Sequence, residues 1–189
     1  MLVERLWSDG KRLKPRAVVG EFERTLRDER HLSREAANCS QLRRNFLHSP
    51  LLLVPAVHWD WCTAEVMVME RMAGIPIART DELRAAGIVL KRLARDGVEI
   101  FFTQVFRDGF FHADMHPGNM LIDPDGNIVA LDFGIMGRLD LPTRRHLAEI
   151  LVGFLTRDYR RVADVFFRAG FVPAGQDQQA FQQACRAVG

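Results

Sequence analysis

One segment of the 189-residue sequence constrains the fold more than any other, because it sets acidic and amide side chains around a short hairpin. Asp114 and Asn119 lie five residues apart in the run Phe-Phe-His-Ala-Asp-Met-His-Pro-Gly-Asn, and Asp132 begins the triplet Asp-Phe-Gly. Between them, two short apolar runs flank the residues at 123–127, whose proline, glycine and asparagine suit a tight turn. The pattern therefore predicts two carboxylates and one carboxamide on loops at strand ends.

These three side chains supply the groups that phosphoryl transfer from a nucleotide requires. That reaction needs magnesium against the phosphates and a carboxylate that orients the accepting hydroxyl. Magnesium prefers oxygen ligands such as Asp and Asn side chains, completed by water. Capping of local turns explains any one of the three residues, but not their joint spacing. His112 and His116, four residues apart, also suggest zinc, although Pro117 and Gly118 disfavour a helix that would present them.

Apolar spacing and breaker residues predict strands and helices that do not alternate as β–α–β units, which favours an α+β fold class. The predicted helices are 18–46, 81–107 with Thr80 or Asp81 as its cap, 142–156 behind Asp140, and a tail of 159–187 that breaks at 170–175. The predicted strands are 51–58, 64–70, 120–122 and 128–131.

Composition and charge argue against several other classes of protein. A net charge of +2, with arginines scattered along helical segments, does not give the clustered basic face of a nucleic-acid binder. Three cysteines without a Cys-x-x-Cys pair favour a reducing compartment over a disulfide framework. No apolar stretch reaches the roughly 18 residues of a membrane span, so the sequence predicts no transmembrane segment.

The motifs resemble those of protein kinases. His112-Ala-Asp114-x-x-x-x-Asn119 is similar to the kinase catalytic loop His-Arg-Asp-x-x-x-x-Asn, with alanine in place of arginine, and Asp132-Phe-Gly resembles the kinase metal-binding triplet. The resemblance implies a protein-kinase-like fold that binds ATP and Mg²⁺. It also implies that Asp114 is the catalytic carboxylate, that His112 supports the loop, and that Asn119 and Asp132 hold the metal.

The longer sequence segments that contain these motifs closely resemble the UbiB family of atypical kinases, which is associated with ubiquinone biosynthesis. The similarity covers roughly residues 18–172 and includes Arg-Glu-Ala-Ala-Asn at 34–38, Val-Met-Glu-Arg at 68–71 and Gln-Val-Phe-Arg-Asp at 104–108. It implies an intact protein at the cytoplasmic side of the bacterial inner membrane, with a lipid or quinone precursor and other ubiquinone-synthesis proteins as partners.

The same resemblance assigns four further residues to nucleotide binding. Glu35 would pair with the nucleotide-binding lysine, and Glu29 would open the Glu-x-Asp element, whose third position is His31 in this sequence. Met69 and Glu70 would lie in the hinge, where backbone groups meet adenine.

The sequence also departs from the family pattern. The phosphate loop, the Val-Ala-x-Lys lysine and the Lys-x-Gly-Gln motif would precede the long helix and are not found there. Hydrophobic segments that such proteins carry after the kinase domain are not found either, so membrane association is expected only through segments missing from this sequence. We therefore expect an incomplete chain: a polar lead-in at 1–17, a remnant of the N-terminal lobe at 18–72, and a helical C-terminal lobe at 73–189.

The expected function is that of an atypical, Mg²⁺-dependent ATP-binding kinase or ATPase that supports ubiquinone biosynthesis. Asp-Phe-Gly is followed almost directly by a predicted helix, which leaves little room for a peptide-docking platform. A small molecule, a lipid or water is therefore a better acceptor than a protein.

Two alternatives remain open at the level of sequence. Small-molecule phosphotransferases of the aminoglycoside or choline kinase type share a His-x-Asp-x-x-x-x-Asn loop, and a screen of hydroxylated acceptors would separate them from the UbiB type. A non-catalytic remnant that binds a lipid or a partner is the second, and failure to bind magnesium–nucleotide would favour it.

Overall fold

The computed structural model describes residues 32–173 and 175–189. The polar lead-in, the first half of the predicted 18–46 helix, Glu29 and His31 lie outside the described residues. The helices are α1 (Leu32–Phe46), α2 (Thr80–Ala85), α3 (Leu90–Phe102), α4 (Leu141–Leu155), α5 (Tyr159–Arg168) and α6 (Gln178–Val188). The strands are β1 (Leu52–Leu53), β2 (Ile75–Pro76), β3 (Phe110–His112), β4 (Met120–Ile122), β5 (Ile128–Ala130) and β6 (Met136–Arg138).

The described residues fall into two compact units, each built from two stretches of chain. The first contains residues 32–96 and 114–135, and the second contains residues 97–113 and 136–189. This mixture of helices and small sheets, without β–α–β alternation, confirms the α+β prediction. The predicted boundaries at residues 17 and 72 stay predictions.

A four-stranded sheet in the order β1-β5-β4-β2 organises the first unit. Strands β4 and β5 form the predicted antiparallel hairpin, with Met120 opposite Ala130, and β1 runs parallel to β5. The Asp123 carboxylate closes the turn, because its Oδ1 accepts the N–H groups of Asp125 at 3.0 Å and Asn127 at 2.8 Å. Gly126 supplies the positive φ of 83° that the turn requires.

Helix α1 packs one apolar face into the core of this unit. Its buried residues recur at helical spacing, and Cys39 among them donates its thiol hydrogen to the Pro55 carbonyl at 3.4 Å. Burial, with a smaller effect of the Glu35 charge, raises the pKa of Cys39 to about 12, so this thiol stays protonated. The buried face consists of Ala36, Cys39, Leu42 and Phe46.

The second unit contains the end of α3, a π-helix at Thr103–Asp108, a two-stranded sheet and the helices α4, α5 and α6. Strands β3 and β6 pair antiparallel, with Phe110 opposite Arg138. Helix α4 begins behind Asp140, whose Oδ1 accepts the Thr143 N–H at 2.9 Å, so the predicted start of this helix is confirmed. Helices α4, α5 and α6 pack around Tyr159, Val162 and Cys185.

Two predicted strands are much shorter in the structure. Only Leu52–Leu53 of the 51–58 segment forms a strand, and Pro55 further along has no N–H for a ladder. The 64–70 segment keeps one isolated antiparallel bridge, between Val57 and Met69. Its first part turns locally, because the Thr63 hydroxyl accepts the N–H groups of residues 65 and 66 at 3.2 and 3.1 Å.

The prediction of one continuous helix over 81–107 is wrong. Helix α2 ends at Ala85, and Gly87 adopts a left-handed φ of 77° that interrupts the helical path before α3 starts. Arg79 is the N-cap of α2 and makes no side-chain capping bond, so neither Thr80 nor Asp81 is the cap. After α3, the residues Thr103–Asp108 form a π-helix that stops at Gly109, where φ is 61°.

Candidate functional site

The hairpin brings Asn119 and Asp132 together. Asn119 closes a short 3-10 turn directly before β4, and Asp132 follows β5, so the antiparallel pairing places both at the same end of the hairpin. The Leu131 N–H donates to the Asn119 carbonyl at 3.0 Å and extends the pairing to the site. The Asn119 Nδ2 then donates to the Asp132 Oδ2 at 3.2 Å.

The Asp132 carboxylate also accepts a hydrogen bond from the backbone two residues further along. Its Oδ1 accepts the Gly134 N–H at 2.9 Å, so both carboxylate oxygens accept hydrogen bonds from the protein. Asn119 directs its amide nitrogen at Asp132, which leaves its amide oxygen as the atom suited to a cation. Hard oxygen donors of this kind fit Mg²⁺.

A cation at this pair would need further oxygen ligands. Within residues 32–173 and 175–189, no group of three or more His, Cys, Asp or Glu side chains gathers to hold a metal ion. Mg²⁺ in phosphoryl-transfer sites takes one or two carboxylates, with phosphate oxygens and water as the other ligands. The Asp132–Asn119 pair therefore fits a metal that arrives with a nucleotide.

Helix α1 contacts the residue that follows Asp132. The Glu35 Oε1 accepts the Phe133 N–H at 3.3 Å, and the Asn38 Nδ2 donates to the Phe133 carbonyl at 3.0 Å. Partial burial raises the pKa of Glu35; the Phe133 N–H opposes that rise, and the Asp132 charge adds to it. Asn38 was missed as a functional residue by sequence reasoning, although its position one helical turn after Glu35 is a signal that places it on the same face.

Asp114 lies in an exposed loop between β3 and the 3-10 turn. Its carbonyl accepts the His116 N–H at 2.7 Å. His116 in turn caps the 3-10 turn, since its Nδ1 accepts the Gly118 N–H at 3.0 Å. His116 thus has a local structural part in the loop, and the catalytic role of Asp114 stays a prediction.

His112 belongs to the second unit and is buried there. Strand β3 places it opposite Met136, and its backbone N–H donates to the Gln104 Oε1 at 2.8 Å. Gln104, which is completely buried in the π-helix, is a second residue that sequence reasoning did not single out by role. Its position in the shared Gln-Val-Phe-Arg-Asp motif was the available signal.

Met69 and Glu70, the residues predicted for the hinge, differ in which backbone groups are free of the Val57–Met69 bridge. The Val57–Met69 bridge is flanked by bonds from the His58 N–H to the Val68 carbonyl at 2.9 Å and from the Glu70 N–H to the Ala56 carbonyl at 2.7 Å. In such a pair, the N–H and C=O of Met69 point to the opposite edge, where adenine could meet them. The Glu70 N–H is already bonded, and its carboxylate accepts the Ala56 N–H at 3.0 Å.

An Asp–Asn pair at the end of a hairpin, followed by a Phe-Gly segment bound to a glutamate-bearing helix, defines a kinase-like class of domain. The chain belongs to the ABC1 atypical kinase-like domain family, whose model matches residues 1–166. The family match confirms the kinase-like fold that the motifs predicted.

One solved structure supports the fold. A Rv3197–erythromycin complex from Mycobacterium tuberculosis is 24% identical in sequence, with a TM-score of 0.65 over 89% of this chain. The present chain spans 43% of the length of that protein chain. The bifunctional kinase-methyltransferase WbdD is 18% identical over 82% of this chain and 41% of its own, with a TM-score of only 0.33.

Among residues 32–173 and 175–189, no helix combines the length and the apolar character that crossing a bilayer requires.

Proposed function

We propose that this chain carries the Mg²⁺–ATP site of an atypical kinase or ATPase of the UbiB type, which supports ubiquinone biosynthesis. The observation that carries the proposal is the hydrogen bond between Asn119 and Asp132, which gathers an amide and a carboxylate from the two motifs. Bound Mg²⁺ would neutralise the phosphate charge that develops during transfer. Asn119 and Asp132 are the residues that would hold it.

Other residues of the chain would orient the reactants. Asp114 would accept a hydrogen bond from the acceptor hydroxyl or water and so aim its oxygen at the terminal phosphate. Met69 would offer its backbone to adenine. Glu35 and Asn38 would fix the segment after Asp132. These roles follow from the motif positions and from the contacts described above.

A short connection after Asp-Phe-Gly supports a small acceptor. Strand β6 (Met136–Arg138) follows at once, and α4 begins at Leu141. Protein kinases need a long activation segment to dock a peptide, and this stretch has no room for one. We therefore propose a small molecule, a lipid-like quinone precursor or water as the acceptor, at the cytoplasmic side of the bacterial inner membrane.

The first experiment measures magnesium-dependent nucleotide binding and ATP turnover in the protein produced from its complete gene. Mutation of groups that only support a metal ligand commonly costs 10- to 100-fold, so Asp132→Asn is expected to lower turnover by about 100-fold or more. Asp125→Asn makes the same chemical change in the exposed hairpin turn and should leave turnover unchanged. Equal turnover in Asp132→Asn and wild type would refute the enzymatic proposal.

The rival functions give different outcomes in the same assay. Phosphorylation of aminoglycoside or choline-like acceptors would favour a small-molecule phosphotransferase. Wild-type protein that binds no magnesium–nucleotide would favour a non-catalytic lipid- or partner-binding role.

The ubiquinone role is tested in cells. Deleting the gene is expected to lower the ubiquinone content of extracted membranes, and wild-type protein but not Asp132→Asn should restore it. An unchanged ubiquinone content in the deletion strain would remove this part of the proposal while leaving the nucleotide chemistry intact.

A further inference from the structure

The backbone of Phe133 needs partners from outside any strand. Its side chain is completely buried, and residues 131–133 follow β5 without belonging to a regular element. Buried peptide N–H and C=O groups are almost always hydrogen-bonded, since leaving one unmet costs as much as a lost hydrogen bond. Whatever meets these groups also determines where the neighbouring Asp132 lies.

Helix α1 supplies hydrogen-bond partners for both the N–H and the C=O of Phe133. Glu35 accepts the Phe133 N–H at 3.3 Å, and Asn38 donates to the Phe133 carbonyl at 3.0 Å. Residues three apart share a helix face, so one acceptor and one donor reach the same residue. Helix α1 is itself anchored, because its apolar face is buried and Arg43 donates to the Val54 carbonyl at 2.6 Å.

Asn38 and Asp132 form hydrogen bonds with opposite sides of one peptide group, between Phe133 and Gly134. The Phe133 carbonyl and the Gly134 N–H belong to the same planar peptide unit, so they point in opposite directions. Asn38 binds the carbonyl at one end, and the Gly134 N–H at the other end donates to the Asp132 Oδ1 at 2.9 Å. A donor on one side of the peptide therefore fixes, and polarises, the donor on the other side.

We infer that Asn38 is a positioning residue for the proposed metal carboxylate: it locks the 133–134 peptide so that the Asp132 Oδ1 is held in place. Asn119 holds the second carboxylate oxygen at 3.2 Å, so the two amide side chains together fix the whole group. Asn38 would act through this peptide and not as a ligand of the metal. The inference rests on the proposed function of Asp132 as a ligand of Mg²⁺.

The test titrates Mg²⁺ against binding of a fluorescent ATP analogue, with protein from the complete gene. Asn38→Leu removes the donor, and the Mg²⁺ concentration for half-maximal binding is expected to rise about 10- to 100-fold, as for other groups that orient metal ligands. The apparent affinity for the nucleotide at saturating Mg²⁺ should change much less. Ala37→Leu adds a larger apolar side chain at the exposed neighbouring position and should leave the Mg²⁺ dependence unchanged.

A second variant separates hydrogen bonding from charge. Asn38→Asp keeps the size of the side chain but cannot donate when ionised, and it adds a negative charge to the same unit as Asp132. Charge alone would tighten Mg²⁺ binding, whereas loss of the donor should weaken it. Weaker Mg²⁺ binding by Asn38→Asp supports the inference, and tighter binding overturns it. This variant also serves if Asn38→Leu does not fold.

A metal-free measurement completes the test. Hydrogen exchange of the Gly134 amide, followed by NMR without Mg²⁺ or nucleotide, should be faster in Asn38→Leu than in wild type or Ala37→Leu. A magnesium-dependent wild type whose titration and Gly134 exchange are both unchanged by Asn38→Leu overturns the inference alone. Wild-type nucleotide binding without any Mg²⁺ dependence overturns the proposed function, and the inference with it.

Discussion

At the scale of single residues, the Asn119–Asp132 contact is sensitive to charge. Asn119→Asp would set two carboxylates about 3 Å apart, because the present Nδ2–Oδ2 distance is 3.2 Å. Two like charges at such a distance near a protein surface repel by about 1–5 kcal/mol. We expect Asn119→Asp to unfold at a lower temperature in EDTA and to gain more stability from added Mg²⁺ than wild type does.

Thermal unfolding with and without Mg²⁺ checks this prediction. Gln183→Glu adds the same charge at an exposed position on α6 and should respond to Mg²⁺ as wild type does. A melting temperature of Asn119→Asp that equals the wild-type value in EDTA would contradict the repulsion argument.

The raised pKa of Glu35 predicts how the stability of the fold depends on pH. This pKa is raised above the ordinary value of 4.5, chiefly by partial burial, so the folded protein holds a proton that the unfolded chain has already released. The folded state is therefore favoured below pH 4.5, and this contribution is lost as the pH rises through the raised pKa. Glu35→Gln should remove that dependence and gain stability relative to wild type as the pH increases from 4.5.

Urea unfolding at a series of pH values measures this effect. Glu65→Gln removes a carboxylate from an exposed position of the same unit and serves as the control. If the stability difference between Glu35→Gln and wild type is constant across the series, the assigned pKa direction is wrong.

Contacts between residues that flank one hairpin could be predicted from the sequence. Contacts between residues far apart in the chain could not. Asn119 and Asp132 could be paired in advance because a turn motif fixes the distance between them along the chain. Asn38 and Phe133 are 95 residues apart, so their contact depends on how α1 packs against the sheet. No local pattern records that packing, and the bond of Asn38 therefore appeared only in the structure.

At the scale of elements, the π-helix Thr103–Asp108 turns a polar side chain inward. The wider turn places Gln104 in the core, where its Oε1 accepts the His112 N–H at 2.8 Å. Gln104→Leu would remove that acceptor from a buried donor, which commonly costs about 1–3 kcal/mol. Urea unfolding should show this loss, whereas the exposed change Gln183→Leu should have little effect. A fully stable Gln104→Leu variant would contradict a structural role for the bond.

The contact between α4 and α5 depends on a glycine. A Cβ at Gly153 would lie 2.6 Å from the Val162 Cγ2 and 3.3 Å from the Asp158 carbonyl oxygen. Because the packed helices have to separate, Gly153→Ala is expected to destabilise the protein by about 1–3 kcal/mol, despite the better helix propensity of alanine. The measurement is thermal unfolding, with Leu155→Ala at an exposed position of α4 as the comparison. An increase in melting temperature would show that the helices tolerate the methyl group.

The errors in the element predictions have physical causes. Residues 81–107 have continuous helical periodicity, but Gly87 takes a left-handed conformation that periodicity does not report. The alternation at 64–70 predicted a strand, yet residues 64–65 bend and only Met69 forms a bridge, since a segment becomes a strand only when a partner of matching length exists. Its partner segment contains Pro55, which cannot donate to a ladder.

At the scale of the whole molecule, the described residues proposed to bind or position the metal and the nucleotide lie in one unit. Glu35, Asn38, Met69, Asn119 and Asp132 belong to residues 32–96 and 114–135, as does Asp114, whereas helices α4, α5 and α6 belong to the other unit. A ligand stabilises the parts of a protein that must be folded to bind it. Binding of magnesium–nucleotide should therefore slow hydrogen exchange more in the first unit than in the second.

Hydrogen exchange read by mass spectrometry tests this expectation in the protein from the complete gene. With a non-hydrolysable ATP analogue and Mg²⁺ at about 100 times the dissociation constant, binding should add about 2.7 kcal/mol to the stability of the binding-competent state. Peptides from α1 and from 119–135 should then exchange more slowly, while those from α5 and α6 should change less. Asp132→Asn, and EDTA with wild type, should both abolish the effect. Protection confined to α5 and α6 would place the ligand elsewhere, because those helices contain none of the residues assigned to the site.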